Sequence, residues 1–401
     1  MISVGDALKA LLDCAGPLPV RREPLGEALG LAAAEDLLSG ERVPPFDNSA
    51  MDGYALQAGT GLRRLEVAGD LAAGDVWPEL PPGKALRIMT GAPIPAGADA
   101  VVPLEETRSG PGWVELLRVP APGAHIRRAG EDVAPGTCLV AKGQALRPAD
   151  LGVLASVGLA ELPVRAPARV AVLTTGNELV PFTETPGPGR IRDANLPALC
   201  AQARALGAVP LPFPRVADDP RAVEAALREA LEAADLVLTT GGVSVGDRDF
   251  VKPVLERIGA EQVFWKVAQK PGQPLGLWTW RGKPVVGLPG NPVPALLMVE
   301  AYVRPALRQM MGFRHLFRPE AEAFLTDGFH KGRPDGKLHW LRVVAEQEGS
   351  RWRARLTGPQ GSGILSSMMR ANALALVPEG VEEVPAGGPV RLQFTELAED
   401  H

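Results

Sequence analysis

The sequence predicts an α/β domain on a doubly wound parallel sheet, set among β-rich segments, and three observations carry that expectation. Between residues 168 and 314 apolar strand-like runs alternate with helical patterns. Residues 44–143, and the chain after about His315, break instead into short runs separated by Gly/Pro turns. Leu236-Val-Leu238 is apolar without alternation, which suits a strand covered on both faces.

The elements follow in order. Val4, Leu8, Leu11 and Leu12 share one helical face behind Ser3, a candidate N-cap, and a second helix is expected over Leu25–Ala34. Leu86-Arg-Ile-Met89 and Ala100-Val-Val102 read as strands, Ala149–Val157 as a short helix, and Pro163–Pro167 as a linker. The α/β block then runs strand Arg169–Leu173, helix Asn195–Leu206, strand Val209–Val216, helix Arg221–Ala234, the strand at Leu236, and a long helix from Val293 to Met311. The domain scheme is a helical and linker region over 1–43 and 144–167, a β-rich domain over 44–143, the α/β domain over 168–314 and a C-terminal β domain over 315–401.

Composition removes several function classes. A formal net charge of −5 without any Lys/Arg-rich run argues against nucleic acid, whose affinity comes from neutralising phosphates. Cys14, Cys138 and Cys200 lack metal or disulfide spacing and read as small buried hydrophobes in a reduced compartment. The five histidines, His125, His315, His330, His339 and His401, show no paired spacing and read as surface or turn residues. No run approaches the roughly 18 apolar residues of a spanning helix, and the first residues lack a signal-peptide pattern, so the cytoplasm is the expected location.

Ligands of doubly wound sheets lie beyond the carboxyl ends of the strands, where three loops fall here. Thr239–Asp249 turns from an apolar strand into glycines and hydroxyls, then ends in Asp247 and Asp249. Gly241 and Gly242 would let backbone N–H groups meet an anion, and the acids could hold its cation; a plain glycine turn before a solvated helix start explains the segment equally well. Thr174–Glu178 offers a carboxylate as a magnesium ligand or as an acidic helix N-terminus. Gly287-Leu-Pro-Gly-Asn-Pro292 is stiffer than a simple strand-to-helix turn requires. Lys266 and Lys270, four apart in an extended segment, would project from one face toward an anion or protect a strand edge. Asp47, Asn48, Ser49 and Asp52, Met89-Thr-Gly-Ala-Pro93, and Gly130-Glu-Asp132 read as turns by residue chemistry alone.

Taken in order, Pro-Pro-Phe-Asp-Asn-Ser-Ala-Met-Asp-Gly-Tyr-Ala (44–55), Ile-Met-Thr-Gly-Ala-Pro-Ile-Pro-Ala-Gly-Ala-Asp-Ala-Val-Val-Pro (88–103), Arg-Arg-Ala-Gly-Glu-Asp (127–132), the Thr239 loop, Gly-Leu-Pro-Gly-Asn-Pro and Gln360-Gly-Ser-Gly-Ile-Leu-Ser-Ser-Met resemble the molybdopterin molybdotransferase (MoeA) family, to which the gephyrin E domain is related. The resemblance implies a C-terminal β-barrel-like domain, an α/β domain akin to the molybdopterin adenylyltransferases, and a homodimer whose sites are shared between subunits. It implies insertion of molybdenum from molybdate into adenylylated molybdopterin with release of AMP, assisted by Mg²⁺. No protein nucleophile is needed, because the pterin supplies the sulfur ligands.

Carried over residue by residue, the family's functional positions are Asp52, Thr90, Asp132, Glu178, Asp218 and Asp249, with Lys266, Lys270, Pro289 and Pro292. Gly241, Gly242 and Ser244 are the phosphate cradle, Asp249, Asp247 and Glu178 the magnesium ligands, and Asp52 and Thr90 come from the partner subunit. Gln273 stands where some relatives carry a third lysine, and Asn177 where aspartate is frequent. An adenylyltransferase acting alone and a gephyrin-like scaffold are the alternatives; the Asp52 and Thr90 motifs and the lack of a fused second module speak against them. A molybdopterin adenylyltransferase and acceptor molybdoenzymes are the further partners the resemblance suggests.

Overall fold

A computed structural model describes residues 1–241 and 250–395. Helix Val4–Cys14 forms as its apolar spacing predicts, with the Ser3 hydroxyl oxygen accepting the Asp6 N–H and with Ala7 and Leu11 buried. At its C-terminus the Leu12 carbonyl accepts the Ala15 N–H at 3.0 Å, and Gln309 Nε2 adds bonds to the Leu12 and Ala15 carbonyls at 2.7 and 2.9 Å.

The helix expected over Leu25–Ala34 is absent. One 3₁₀ turn, Leu25–Glu27, leads into backbone pairing with the later segment, Ala33 N–H to the Gln144 carbonyl at 3.0 Å and Ala34 N–H to that of Pro163 at 2.9 Å. Gly26, and Gly30 at φ +77°, weaken any helix there, so tertiary pairing overrides the apolar pattern. Pro163 also departs from expectation, because it lies in strand Glu161–Arg165, antiparallel to Val20–Pro24, rather than in a linker. A two-stranded ribbon has an open side that tolerates the missing proline N–H. Helix Pro148–Ser156 forms as expected, and Leu154 packs with Ala28, Leu37, Val140 and Leu162 in a small core.

The β-rich segment contains a six-stranded sheet in the order Ala100–Pro103, Gly53–Leu56, Lys84–Ile88, Arg64–Leu71, Trp113–Leu116, Thr107–Gly110. Separate apolar clusters cover its two faces, one around Tyr54, Leu65 and Val114, the other around Leu71, Leu86 and Val101. Gly53 is required for this packing, since a Cβ there would lie 2.0 Å from the Val102 carbonyl oxygen.

The α/β sheet has the order Val209–Val216, Arg169–Thr175, Leu236–Thr240, Lys283–Leu288, Gly276–Trp280, Glu261–Trp265. Its first four strands are parallel, and the last two form an antiparallel edge on the doubly wound core. Along the second strand Val170 and Val172 face helix Asn195–Ala205, while Ala171 and Leu173 face helix Pro220–Ala233, so both surfaces are covered. The long helix begins at Pro292 and runs to Met310 through a π-helical turn at Val299–Val303. Glu300, inside that turn and 5 % exposed, binds Arg318 at 2.7 Å and fastens the helix to the chain entering the next domain.

Strands Leu338–Glu348, Arg351–Leu356, Glu320–Leu325, Gly388–Phe394 and Ala373–Val377 pair in succession, and the last pairs back to the first. The result is a closed five-stranded barrel. A sixth, two-residue strand, Gln269–Lys270, leaves the α/β domain to lie parallel to Leu338–His339 on the barrel. Gln269 is fully buried there and makes four side-chain bonds. Its Nε2 donates to the Gly272 carbonyl and approaches Met298 Sδ; its Oε1 accepts from the Tyr302 hydroxyl at 2.7 Å and Trp340 Nε1 at 3.2 Å.

Two compositional expectations are corrected. Cys138 is exposed and Cys14 half-buried, leaving Cys200 as the buried cysteine. His339 is 2 % exposed, its Nε2 2.8 Å from Asp335 Oδ2, rather than a surface residue. Burial holds its pKa below the ordinary histidine value despite the raising effect of Asp335. Among the described residues no helix is long and apolar enough to cross a membrane.

Candidate active site

Strands Arg169–Thr175, Leu236–Thr240 and Lys283–Leu288 deliver their carboxyl ends to one cleft of about 430 Å³. The strand order reverses here, since Val209–Val216 lies on one side of Arg169–Thr175 and Leu236–Thr240 on the other. Among the described residues, those lining the cleft fall between Thr175 and Pro292.

All three expected loops meet at Gly241. Gly241 has φ +79°, and a Cβ on it would lie 2.8 Å from both the carbonyl oxygen and the hydroxyl of Thr175. A Cβ on Gly290 would lie 3.8 Å from Gly241 Cα, so the Leu-Pro-Gly-Asn-Pro turn closes directly over the Thr240–Gly241 strand end. Pro289 and Pro292 both line the cleft. Gly242, Ser244, Asp247 and Asp249 lie outside the described residues.

Glu178 also lines the cleft and is exposed, with its carboxylate curled back over Gly176, where a Cβ would sit 2.7 Å from either oxygen. It does not open a helix: the following residues Leu179–Val180 form a two-stranded ribbon with Ile191–Arg192. Asp218 is held beside it through Asn177, whose backbone N–H donates to Asp218 Oδ2 at 2.9 Å while Asn177 Oδ1 accepts the Asp218 N–H at 3.3 Å. Either asparagine or aspartate at 177 could make both bonds, but asparagine does so without setting a second negative charge beside Asp218. Among the described residues no group of three His, Cys, Asp or Glu side chains converges as a metal site.

The lysines are not arranged on one face. Strand Glu261–Trp265 ends before Lys266, which has φ +68° and places Nζ 4.4 Å from the centre of the Trp265 ring; Lys252 Nζ lies at the same distance from that ring. Lys270 belongs to the separate strand on the barrel and is exposed. Beyond it, Gln273 Oε1 accepts from Lys337 Nζ at 2.7 Å, so the barrel brings a lysine to the position where Gln273 departs from the resembled pattern. The barrel also reaches the proline turn, where Asn291 Nδ2 donates to Ser362 Oγ at 3.2 Å.

In the β-rich domain Asp52 and Thr90 come together from adjacent strand ends. Asp52 Oδ1 accepts the Thr90 N–H at 2.7 Å and its hydroxyl at 2.8 Å, and these bonds hold its pKa below the ordinary carboxylate value. Asp47 is held low similarly, by the Ala129 N–H and the Arg128 guanidinium. Asp132 lies on the same turn as Ala129 and is exposed, its backbone N–H bound to the Val43 carbonyl at 3.0 Å.

Sequence reasoning did not single out Asp193, Asn195, Lys337 or Ser362. Asp193 is 5 % exposed, takes the Thr174 hydroxyl on one oxygen at 2.6 Å and caps helix Asn195–Ala205 with the other. An aspartate two residues ahead of a predicted helix was the available signal.

Three family models match successive parts of the chain: the MoeA N-terminal region (domain I and II) over residues 2–158, a probable molybdopterin binding domain over 171–309, and the MoeA C-terminal region (domain IV) over 322–394. Molybdopterin molybdenumtransferase 2 of Mycobacterium tuberculosis is 41% identical over 387 residues, covering 93% of this chain and 94% of the relative. Molybdopterin molybdenumtransferase of Haemophilus influenzae is 37% identical, covering 94% and 95%. Among solved structures, the molybdopterin biosynthesis MoeA protein of Pyrococcus horikoshii superposes with a TM-score of 0.84 at 30% identity, covering 98% of this chain and 99% of that one. The chain belongs to the MoeA family.

Proposed function

We propose that this protein is a molybdopterin molybdenumtransferase, which transfers molybdenum from molybdate to adenylylated molybdopterin and releases AMP. The observation that carries the reading is likeness along almost the whole chain to relatives so named, in all three matched regions. The pterin's own sulfurs bind the metal, and the protein's task is to hold oxyanion, phosphates and heterocycle in register.

In this proposal Gly241, with Gly242 and Ser244, cradles phosphate, while Lys266 and Lys270 attract the anion. Pro289 and Pro292 keep the cleft's wall stiff. Glu178 fits a magnesium ion that takes its remaining oxygens from water and substrate phosphates, the usual habit of Mg²⁺ in nucleotide sites; Asp247 and Asp249 are its further proposed ligands. Asp218 steadies the Glu178 loop through Asn177.

Among the described residues the cleft is lined from the α/β domain, whereas Asp52, Thr90 and Asp132 sit on the β-rich domain. We place these three at the molybdate end of a partner subunit's cleft, in a homodimer acting in the cytoplasm. The substrate would come from a molybdopterin adenylyltransferase and the product pass to molybdoenzymes. The test is AMP release from adenylylated molybdopterin by the purified protein, with and without molybdate and Mg²⁺. Release that requires both supports the proposal; synthesis of the adenylylated pterin from ATP instead would replace it with the adenylyltransferase reading.

A further inference from the structure

A residue of the cleft's wall carries a buried polar atom that has no partner among the described residues. Asn195, the first residue of helix Asn195–Ala205, lines the cleft and is 9 % exposed. Its Nδ2 donates to the Gly290 carbonyl at 2.8 Å, which fixes the amide's orientation, since the opposite flip would set two oxygens against each other. Oδ1 is left buried and without a hydrogen-bond partner among the described residues.

Its neighbour makes the contrast. Asp193 has both oxygens engaged, Oδ1 by the N–H groups of Asn195 and Leu196 at 3.0 Å each and Oδ2 by the Thr174 hydroxyl. A buried acceptor left unpaired costs about 1–3 kcal/mol, and a ligand that brings a donor recovers that amount on binding. The same amide also grips the Gly290 turn, so its free oxygen is held rigidly beside the loop that roofs the cleft.

We infer that Asn195 Oδ1 reads an N–H donor on a heterocycle bound in the cleft. The assignment rests on the nucleotide–pterin substrate proposed above, which has two such donors: the exocyclic amine of adenine, and the amine and lactam N–H edge of the pterin. Either way Asn195 is a specificity residue, since a heterocycle offering a carbonyl at that place would leave two acceptors facing each other.

The experiment compares wild type, Asn195→Leu and Gln202→Leu. Gln202 lies two turns along the same helix, also has an unpaired buried oxygen, and lines a different cavity, so it controls for loss of any orphaned amide. Calorimetry gives the Kd of AMP and of IMP, which carries a carbonyl in place of the amine, and fluorescence quenching gives that of metal-free molybdopterin. The expected result is that Asn195→Leu weakens either AMP or molybdopterin by roughly 5- to 100-fold and leaves the other within twofold, and the ligand that weakens names the source. If AMP is the one, wild type also prefers AMP over IMP and the variant does not.

The melting temperature of the ligand-free variant should not fall, because an unpaired acceptor has been removed and the exposed Gly290 carbonyl can turn to water. Unchanged affinity for both ligands overturns the inference. So does equal loss for both, or loss accompanied by a lower melting temperature or matched by Gln202→Leu, each of which assigns Asn195 to shaping the loop. Wild-type AMP release is measured alongside: binding of both ligands with no molybdate-dependent release counts against the proposed reaction and leaves this assignment standing.

Discussion

Asp52 Oδ1 takes two hydrogen bonds from one residue, the backbone N–H and the hydroxyl of Thr90. Both bonds favour the ionised carboxylate, so they hold it charged further into acid than a free aspartate. Removing one donor must move the pKa back upward. In Thr90→Val the acid limb of the pH–rate profile for AMP release should shift to higher pH, with the plateau above neutrality least affected; an unshifted limb would detach Asp52 ionisation from the reaction. Asp52→Ala should abolish cofactor assembly while leaving the oligomeric state unchanged in sedimentation, because the residue is exposed. Normal assembly by that variant removes Asp52 from the site.

Gly241→Ala asks an L-residue to adopt φ +79° and sets a Cβ 2.8 Å from the Thr175 carbonyl oxygen. Backbone strain of this type costs about 1–3 kcal/mol. Urea unfolding should report that loss, and AMP affinity should fall as the strand end withdraws from the Gly290 turn. Gly290→Ala, with Gly241 Cα as its nearest neighbour at 3.8 Å, should be tolerated far better, and equal sensitivity of the two glycines would refute the close-approach argument.

Gln269→Leu keeps the side chain's bulk and removes all four of its bonds. The Tyr302 hydroxyl and Trp340 indole N–H are then left buried and unpaired, and each such group costs about 1–3 kcal/mol. Chemical denaturation should therefore show a loss of several kcal/mol, whereas Gln269→Glu, which preserves the acceptor, should lose less. A leucine variant as stable as wild type would mean that water takes over the hub.

The parallel strands, the β character of the C-terminal domain and the N-terminal helix were readable because burial imposes regular apolar spacing on each, whereas closure of that domain into a barrel was implied by the family resemblance alone. Leu25–Ala34 misled because alanine and leucine spacing serves a packed loop as well as a helix, and Gly30 decided between them. Lys266 and Lys270 could not be placed from spacing: one positive φ at Lys266 and a separate two-residue strand at Gln269–Lys270 break the single extended segment that spacing assumed. The roles of Asp52 and Thr90 came from resemblance to a family rather than from residue chemistry, since 38 residues separate them and each alone reads as a turn. Asn195 was invisible because an orphaned oxygen is a property of packing.

Gln269 also bears on how this architecture can be recombined. The barrel strands run from Glu320 to Phe394 and look like a cassette that could be traded between relatives at one seam. Yet Trp340 in the barrel finds its partner on a residue encoded before the long helix, and so do Leu338 and His339 along the backbone. A chimera joined near residue 315 would inherit an indole from one parent and its acceptor from another. Breeding functional hybrids thus calls for moving residues 269–274 together with the barrel, as one unit of inheritance that is discontinuous in the chain.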